Sequence, residues 1–237
     1  MNPLVIVLGV MLVVIISMSM FSRFFSGESA LTSKANIKDG IPDIAVASIT
    51  GADKSTRTYS IWVYMNTWTP TVNKMIIGRT DDILLYLDAT SAILKCKILP
   101  TASEVLAASA APTTPPGITS VVDITNNFPI QKWVFITVAV DTNGVCDYYL
   151  DGKLVKSVKA TSTTITDASQ PIKFGTSHDT YIADLKRVPK VKGPQEVWND
   201  YASGNSGSNL HSALGNYNVN LSILKDNVAT SSYSLVG

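Results

Sequence analysis

The chain has 237 residues, of which 46% are hydrophobic and 16% are charged, and its formal net charge is +1. This composition excludes a disordered, highly charged chain, and the neutral balance argues against nucleic-acid binding, which needs a basic surface. The two Cys are too few for a disulfide-framed scaffold or a four-thiolate zinc site.

The chain opens with an uncharged apolar run. Residues 4–21 read LVIVLGVMLVVIISMSMF, and the first charged side chain is Arg23. A helix of this length spans about 27 Å, close to the hydrocarbon thickness of a bilayer. No Lys or Arg precedes the run, which favours a retained anchor at residues 1–24 over the alternatives, a cleaved signal peptide and a buried core helix. The anchor side chains are Leu4, Val5, Ile6, Val7, Leu8, Val10, Leu12, Val13, Val14, Ile15, Ile16 and Phe21.

The flanking charges favour a body on the cytoplasmic side of that membrane. Arg23, Lys34 and Lys38 follow the run, whereas only the α-amino group precedes it, and positive flanks tend to stay cytoplasmic. Cys96 and Cys146 lie in predicted strands, where buried free thiols are expected and a disulfide is the alternative.

A polar connector at residues 25–56 is followed by short β-rich runs with turn residues between them. Regular spacing of such runs is typical of a sandwich or barrel rather than of alternating βα units. The predicted strands cover residues 59–65, 74–79, 82–88, 92–99, 121–124, 132–141, 171–175 and 181–187. An Ala/Pro/Thr-rich insertion at residues 101–117 is expected to be a surface loop with a loose helical turn.

The strongest local signal is a hairpin at Asp151-Gly152, because both central residues of a type I′ turn need positive φ. The turn predicts the pairs Leu150–Lys153, Tyr149–Leu154, Tyr148–Val155 and Asp147–Lys156. One helix is predicted to begin at Gly193-Pro194 and to end at Ser203-Gly204. The tail at residues 204–237 is rich in Asn, Ser and Gly, and alternation over residues 217–224 is compatible with an added strand.

These pieces, taken in order, resemble the laminin-G-like, concanavalin A-like lectin/glucanase superfamily over roughly residues 57–203. The segments that carry the resemblance are SIWVYM (60–65), KWVFITVAVD (132–141), YYLDGKLV (148–155), IKFG (172–175), YIADLKRVPK (181–190) and PQEVWNDY (194–201). The resemblance implies an all-β, two-sheet antiparallel jelly-roll sandwich, here with an N-terminal transmembrane helix and one short C-terminal helix. It leaves function open, since the superfamily includes lectins, hydrolases and structural modules.

The whole layout is similar to that of membrane-anchored minor structural proteins in virions of large double-stranded DNA viruses. In those particles an internal membrane is tied to a surrounding capsid. The resemblance implies a lipid bilayer and capsid or other structural proteins as partners, and a location at the interface between the inner membrane and the capsid.

Catalysis is not expected. Glucanase members carry acidic residues on one strand in an E-x-D-x-x-E-like pattern, and this chain has only Glu28, Glu104 and Glu196, which are far apart. Glycoside hydrolysis needs two carboxyl groups at a defined separation. No cofactor is expected, and no catalytic residue is proposed.

Asp81, Asp82 and Asp88 flank the DILLYLD strand and are weak candidates for a Ca²⁺ site, which needs several oxygen ligands. The favoured alternative is that they are solvated turn carboxylates.

Four bases within seven residues, Lys186, Arg187, Lys190 and Lys192, form a candidate surface for an acidic partner or anionic lipid. An edge strand protected from aggregation by Lys is the equal alternative.

Trp68, in the loop NTWTP, is the best single candidate for stacking on a sugar or partner, although local packing is the favoured alternative. Trp62 and Trp133 are expected in the core.

We therefore expect a non-enzymatic, membrane-anchored structural protein. The alternative hypothesis is a carbohydrate-binding module, and the least favoured hypothesis is a glucanase-type hydrolase.

Overall fold

The computed structural model describes residues 29–30, 34–70, 73–109, 118, 120–176, 178–204, 219–225 and 228–235. The predicted anchor at residues 4–21 lies outside these ranges. Within them, no helix is long and apolar enough to cross a bilayer.

The described chain is dominated by β-strands. In chain order they are β1 (Ser29–Ala30), β2 (Ala35–Asn36), β3 (Arg57–Met65), β4 (Lys74–Arg79), β5 (Ile83–Leu87), β6 (Leu94–Ile98), β7 (Val122–Thr125), β8 (Trp133–Val140), β9 (Val145–Leu150), β10 (Lys153–Lys159), β11 (Lys173–Phe174), β12 (Thr180–Val188), β13 (Val219–Lys225) and β14 (Val228–Leu235). Two α-helices, α1 (Ala102–Ser109) and α2 (Pro194–Ala202), and two 3-10 helices, Ile37–Asp39 and Val46–Ser48, complete it.

The strands form two packed antiparallel sheets and a separate hairpin. The seven-stranded sheet has the order β1-β12-β3-β8-β9-β10, with β2 also paired to β12, and the five-stranded sheet has the order β11-β4-β5-β6-β7. The main core lies between their inner faces and includes Ile61, Val63, Ile136 and Leu85. The predicted all-β, two-sheet sandwich with a short C-terminal helix is therefore confirmed.

Each sheet also carries a helix on its outer face, which helps to explain why β3 and β8 are buried at almost every position. Val197 of α2 is fully buried against Trp62 and Phe135 on the seven-stranded sheet. Val105 of α1 packs on Leu84 of the five-stranded sheet. The predicted loose turn in residues 101–117 is thus a regular helix over Ala102–Ser109, because it has an apolar face to bury.

The hairpin prediction is half right. Asp151 (φ 47°) and Gly152 (φ 76°) form the turn, and Lys153 and Leu154 pair with Leu150 and Tyr149 as expected. A register shift then occurs between Leu154 and Lys156, so that Lys156 pairs with Tyr148 and Ser157 with Asp147. The predicted Tyr148–Val155 and Asp147–Lys156 pairs are wrong because the shift inserts one extra residue.

The segment expected to be a polar connector contributes to the sandwich. Ile37, Ile44 and Ile49 are buried in the main core, and Ile44 forms a bridge with Ile172. In the tail, the predicted strand is present as β13, which pairs with β14 in a two-stranded hairpin.

Candidate binding site at one end of the sandwich

The outer face of the seven-stranded sheet changes character along β3, β8 and β12. Because alternate residues of a strand share a face, the register places Tyr181, Tyr64 and Trp133 side by side across the three strands. We call these three residues the aromatic row. They lie where β3 ends and where β8 and β12 begin, which we call the aromatic end.

The neighbouring residues on this face, two positions along each strand, are covered. Ala183, Trp62 and Phe135 are buried beneath α2, and the ring of Tyr201 stacks on that of Trp62 with 5.6 Å between the centroids. Every residue of the aromatic row, in contrast, is half-buried. The aromatic surface of the sheet therefore becomes accessible where the helix stops covering it.

The rings of the aromatic row support one another without lying flat in one plane. The centroid of Tyr64 is 5.5 Å from that of Trp133, with 47° between the ring planes, and 6.2 Å from that of Tyr181, with 66° between the planes. Tilted and edge-to-face pairs at such distances are favourable. The ammonium of Lys34, an exposed residue, lies 5.5 Å from the centroid of Trp133.

A polar rim follows the aromatic row toward the end of the sheet. The side-chain amides of Asn36 and Asn66 donate to the two carboxylate oxygens of Asp179, at 2.7 Å and 2.6 Å. These two hydrogen bonds lower the pKa of Asp179 below its ordinary value because they favour the ionised form. We call Asn36, Asn66 and Asp179 the polar rim.

The combination of exposed ring faces and fixed amide and carboxylate groups suits a ligand that is apolar on one face and polar at its edges. Apolar C–H groups can pack on the rings, while hydroxyl groups can donate to oxygens and accept from amides of the rim. Sugars have this character.

Trp68 lies at the same end but is used internally. Its ring packs against the main core, and the ammonium of Lys74 lies 3.9 Å from the ring centroid. Lys74 is buried, and its Nζ donates to the carbonyl of Ala89 at 3.1 Å. Burial lowers the pKa of Lys74 to about 8. These contacts support local packing as the role of Trp68.

The opposite end of the sandwich holds a buried charge cluster around Asp82. Its carboxylate pairs with Arg57 and Arg79 and accepts a hydrogen bond from the Tyr59 hydroxyl at 2.6 Å. Arg187 Nε lies 3.7 Å from the same carboxylate. We call these five residues the arginine cluster. Burial and the nearby Asp82 raise the pKa of Tyr59 above its ordinary value.

The arginine cluster also fixes the loops at its end. Arg79 donates to the carbonyls of Ala168 and Gln170 at 2.7 Å and 2.9 Å. Arg187 donates to the carbonyls of Gly51 and Lys54 at 2.7 Å and 3.0 Å. These groups are therefore committed to structure.

The three acidic calcium candidates are not gathered into one site. Asp82 lies in the arginine cluster, whereas Asp81 accepts from the backbone of Asp167 at 2.6 Å and from the Thr166 hydroxyl at 2.7 Å. Asp88 pairs with Lys95 at 3.0 Å. No group of three or more potential metal ligands occurs within the described ranges. Asp82 is thus not the solvated turn carboxylate that the sequence favoured, because three arginines enclose it.

The four bases expected to form one surface patch are separated. Arg187 is fully buried, and Lys192 is buried with its Nζ bonded to Asp200 at 2.8 Å. Lys190 is exposed and pairs with Glu196 at 2.6 Å, and Lys186 is half-buried. The interpretation of these residues as one exposed patch is corrected. Lys186 and Arg187 are neighbours on β12 and face opposite sides of the sheet, and Lys190 and Lys192 follow that strand and bond to different carboxylates of α2.

Two of the aromatic-row residues were assigned no role from the sequence. Tyr64 and Tyr181 were not singled out. Trp62 and Trp133 were both expected in the core, but only Trp62 is buried, whereas Trp133 is half-buried. The available signal was that aromatic residues recur at alternate positions in two strands, Trp62 and Tyr64 in one and Trp133 and Phe135 in the other. Only the strand register shows that they adjoin.

Comparison with known proteins identifies the family. The model of a family described as the concanavalin A-like lectin/glucanases superfamily matches residues 39–186. No curated protein matches the chain.

Among solved structures, the binding domain of botulinum neurotoxin DC in complex with SialylT is 18% identical, with a TM-score of 0.49. The alignment covers 65% of this chain and 37% of that one. The same binding domain in complex with rat synaptotagmin II is 17% identical, with a TM-score of 0.49 and coverages of 66% and 38%. The chain thus spans less than two fifths of these solved chains.

Proposed function

We propose that the chain, which belongs to the concanavalin A-like lectin/glucanases superfamily, is a non-enzymatic binding protein that recognises a glycan through the aromatic row and the polar rim. The observation that carries this proposal is the half-buried row of Tyr181, Tyr64 and Trp133 beside the Asn36–Asp179–Asn66 network. A sugar ring packs its C–H face on these rings, and its hydroxyl groups bond to the rim.

The acidic groups near the row support binding rather than hydrolysis. Both oxygens of Asp179 are held by amides. Asp151 accepts from the backbone N–H of Phe135 at 3.0 Å and pairs with Lys132 at 3.1 Å. Each carboxylate is engaged in a structural contact, whereas glycoside hydrolysis needs a protonated acid and a second carboxylate placed across the scissile bond.

A glycan array probed with the full chain in detergent micelles tests this proposal, followed by calorimetry on the best ligand. We expect Tyr64→Ala and Trp133→Ala each to weaken binding by at least tenfold, the order of loss seen when an aromatic anchor is truncated. Trp198→Ala is the matched control, since Trp198 is an exposed aromatic residue of α2 outside the row. Binding to no glycan, or equal binding by Tyr64→Ala and the parent, would contradict the proposal.

A second candidate function is the membrane-anchored structural protein of a virion, which links an inner membrane to a capsid shell. It is favoured by the apolar run at residues 4–21 and by an exposed apolar surface suited to protein contacts. Leu154 and Val155 on edge strand β10 are 51% and 45% exposed, and Trp198 of α2 is 44% exposed. Large apolar side chains exposed on an edge strand and a nearby helix are available to a partner protein.

Co-purification tests this second candidate. Alkaline carbonate extraction should leave the chain in the membrane fraction, and purified particles should contain it at fixed stoichiometry with a shell protein. Leu154→Asp should reduce that stoichiometry, whereas Lys54→Gln, at an exposed position far from Leu154 in the fold, should not. A chain that is released by carbonate and is absent from particles would rule this function out.

A further inference from the structure

We infer that the aromatic row selects glycans that carry a carboxylate over neutral ones, with Lys34 as the selecting group. This inference rests on the proposed glycan-binding function and names the ligand class of the same site. The observation behind it is the position of the Lys34 ammonium, 5.5 Å from the centroid of Trp133.

Among the cations of the described ranges, Lys34 is the one placed over a ring of the aromatic row. It is exposed, and it forms no ion pair with a carboxylate within the described ranges. The neighbouring Lys132 is in contrast paired with Asp151 at 3.1 Å. A lysine side chain is a point charge on a flexible four-carbon stem, so it can move without disturbing the backbone.

The contact between Lys34 and Trp133 creates the selectivity. Any sugar that packs on Trp133 must compete with the ammonium for the ring face. A neutral sugar displaces it and offers no charge in return, whereas a carboxylated sugar gives the displaced ammonium an anion. The acidic ligand therefore replaces the cation–π contact with an ion pair.

The two acidic groups near the row, Asp151 and Asp179, do not cancel this attraction because each is engaged within the protein. Asp151, on the β8 side, is paired with Lys132 at 3.1 Å. Both oxygens of Asp179 are engaged by Asn36 and Asn66, in the rim beyond the row. The Asp179 carboxylate belongs to the β12 side of the row, whereas Trp133, over which Lys34 lies, belongs to β8. The carboxylate of a bound sugar is expected at the β8 side.

Matched ligand pairs test the inference. Trigalacturonate, a hyaluronan hexasaccharide and sialyllactose are each compared with their methyl esters, which have the same shape without the charge, using the full chain in micelles. We expect the acid of at least one pair to bind about fivefold more tightly than its ester, the ratio expected for one exposed ion pair. The preference should shrink as salt is raised.

Variants of Lys34 test whether this residue causes the preference for the acid over its ester. Lys34→Gln should bind acid and ester equally, Lys34→Arg should keep the preference, and Lys54→Gln, at the opposite end, should behave as the parent. Equal binding of acid and ester by the parent, or a preference that survives in Lys34→Gln, would overturn the inference while leaving glycan binding intact. If no acid, ester or neutral glycan on the array binds, the proposed function fails as well.

Discussion

At the end of the sandwich that holds the arginine cluster, the arginine end, three guanidiniums are fully buried around a single carboxylate. At the aromatic end, in contrast, Lys34 is exposed and the carboxylate of Asp179 lies in a half-buried rim. Arg57, Arg79 and Arg187 use their remaining N–H groups on backbone carbonyls of nearby loops. At the aromatic end, Asn36 and Asn66 fix Asp179 beside half-buried rings. Both ends contain polar networks, but only the aromatic end leaves polar and apolar surface accessible to a ligand.

This difference separates a role in stability from a role in recognition. Buried charges are tolerated only when they are paired and hydrogen-bonded, and the groups of the arginine cluster are committed to such internal contacts. The aromatic row is not needed to fill the core between the sheets. Substitutions in the arginine cluster should therefore lower the free energy of unfolding, whereas substitutions in the aromatic row should weaken glycan binding.

The largest effect is expected at the arginine end. Asp82→Asn removes the carboxylate that faces Arg57 and Arg79, and breaking a buried pair typically costs about 3–5 kcal/mol. Denaturant unfolding of the variant should show this loss of free energy. Asp53→Asn, whose exposed carboxylate lies 3.5 Å from Lys54, is the control and should change stability by less than about 0.5 kcal/mol. An equal effect of the two substitutions would remove the distinction between the ends.

His178 is expected to make stability depend on pH at the aromatic end. It is buried, its Nε2 bonds to the Met75 carbonyl and its Nδ1 to the Thr180 hydroxyl, both at 2.8 Å. Burial lowers its pKa from the usual 6.5 to about 4. The unfolded chain therefore binds more protons between pH 6.5 and pH 4, and stability falls as the pH falls through this window, by roughly 3 kcal/mol at most.

Unfolding free energies measured from pH 7 to pH 4 check this sign. In His178→Gln the side-chain amide can still donate to the Met75 carbonyl. The free energy of unfolding should then decline less below pH 6.5, because the contribution of His178 is removed. A decline of the same size in the variant would assign the pH dependence to other groups.

A smaller effect is expected from the polar rim. In Asp179→Asn one carboxylate oxygen is replaced by an amide N–H₂, which cannot accept a hydrogen bond from Asn36 or Asn66. One of the two hydrogen bonds is therefore lost. We expect glycan affinity to fall by about tenfold, equivalent to ~1.4 kcal/mol, while stability falls by about 1 kcal/mol. Calorimetry and denaturant unfolding measure the two quantities separately. A large loss of stability with unchanged glycan affinity would show that the polar rim, like the arginine cluster, has a structural role.

The smallest effect on binding is expected from Trp68. Because Lys74 occupies its ring at 3.9 Å, Trp68→Ala should leave glycan affinity within about twofold while it lowers stability by about 1 kcal/mol, the value of a cation–π contact. The same calorimetry and unfolding experiments apply. A loss of binding comparable to that of Tyr64→Ala would extend the recognition surface to this loop.

The strands were predictable to within a few residues, because apolar runs and turn residues are local signals. The 74–79 strand matches β4, and the Asp151-Gly152 turn has the expected positive φ angles. The pairing beyond that turn was not predictable, since the register shift after Leu154 depends on the packing of β10 rather than on the turn. Arg187 shows the same limit, because its carbonyl partners Thr50 and Gly51 lie more than 130 residues earlier in the chain.

The amino-acid sequence by itself determined the all-β sandwich, the turn at Asp151-Gly152 and the short helix α2. Each follows from the periodicity and turn chemistry of neighbouring residues. Only the tertiary structure decided which aromatic residues reach the surface and which charged residues leave it. Those outcomes depend on which strands are neighbours and on how much of the outer face of the sheet α2 covers. Both are set by contacts between residues that are distant in the chain.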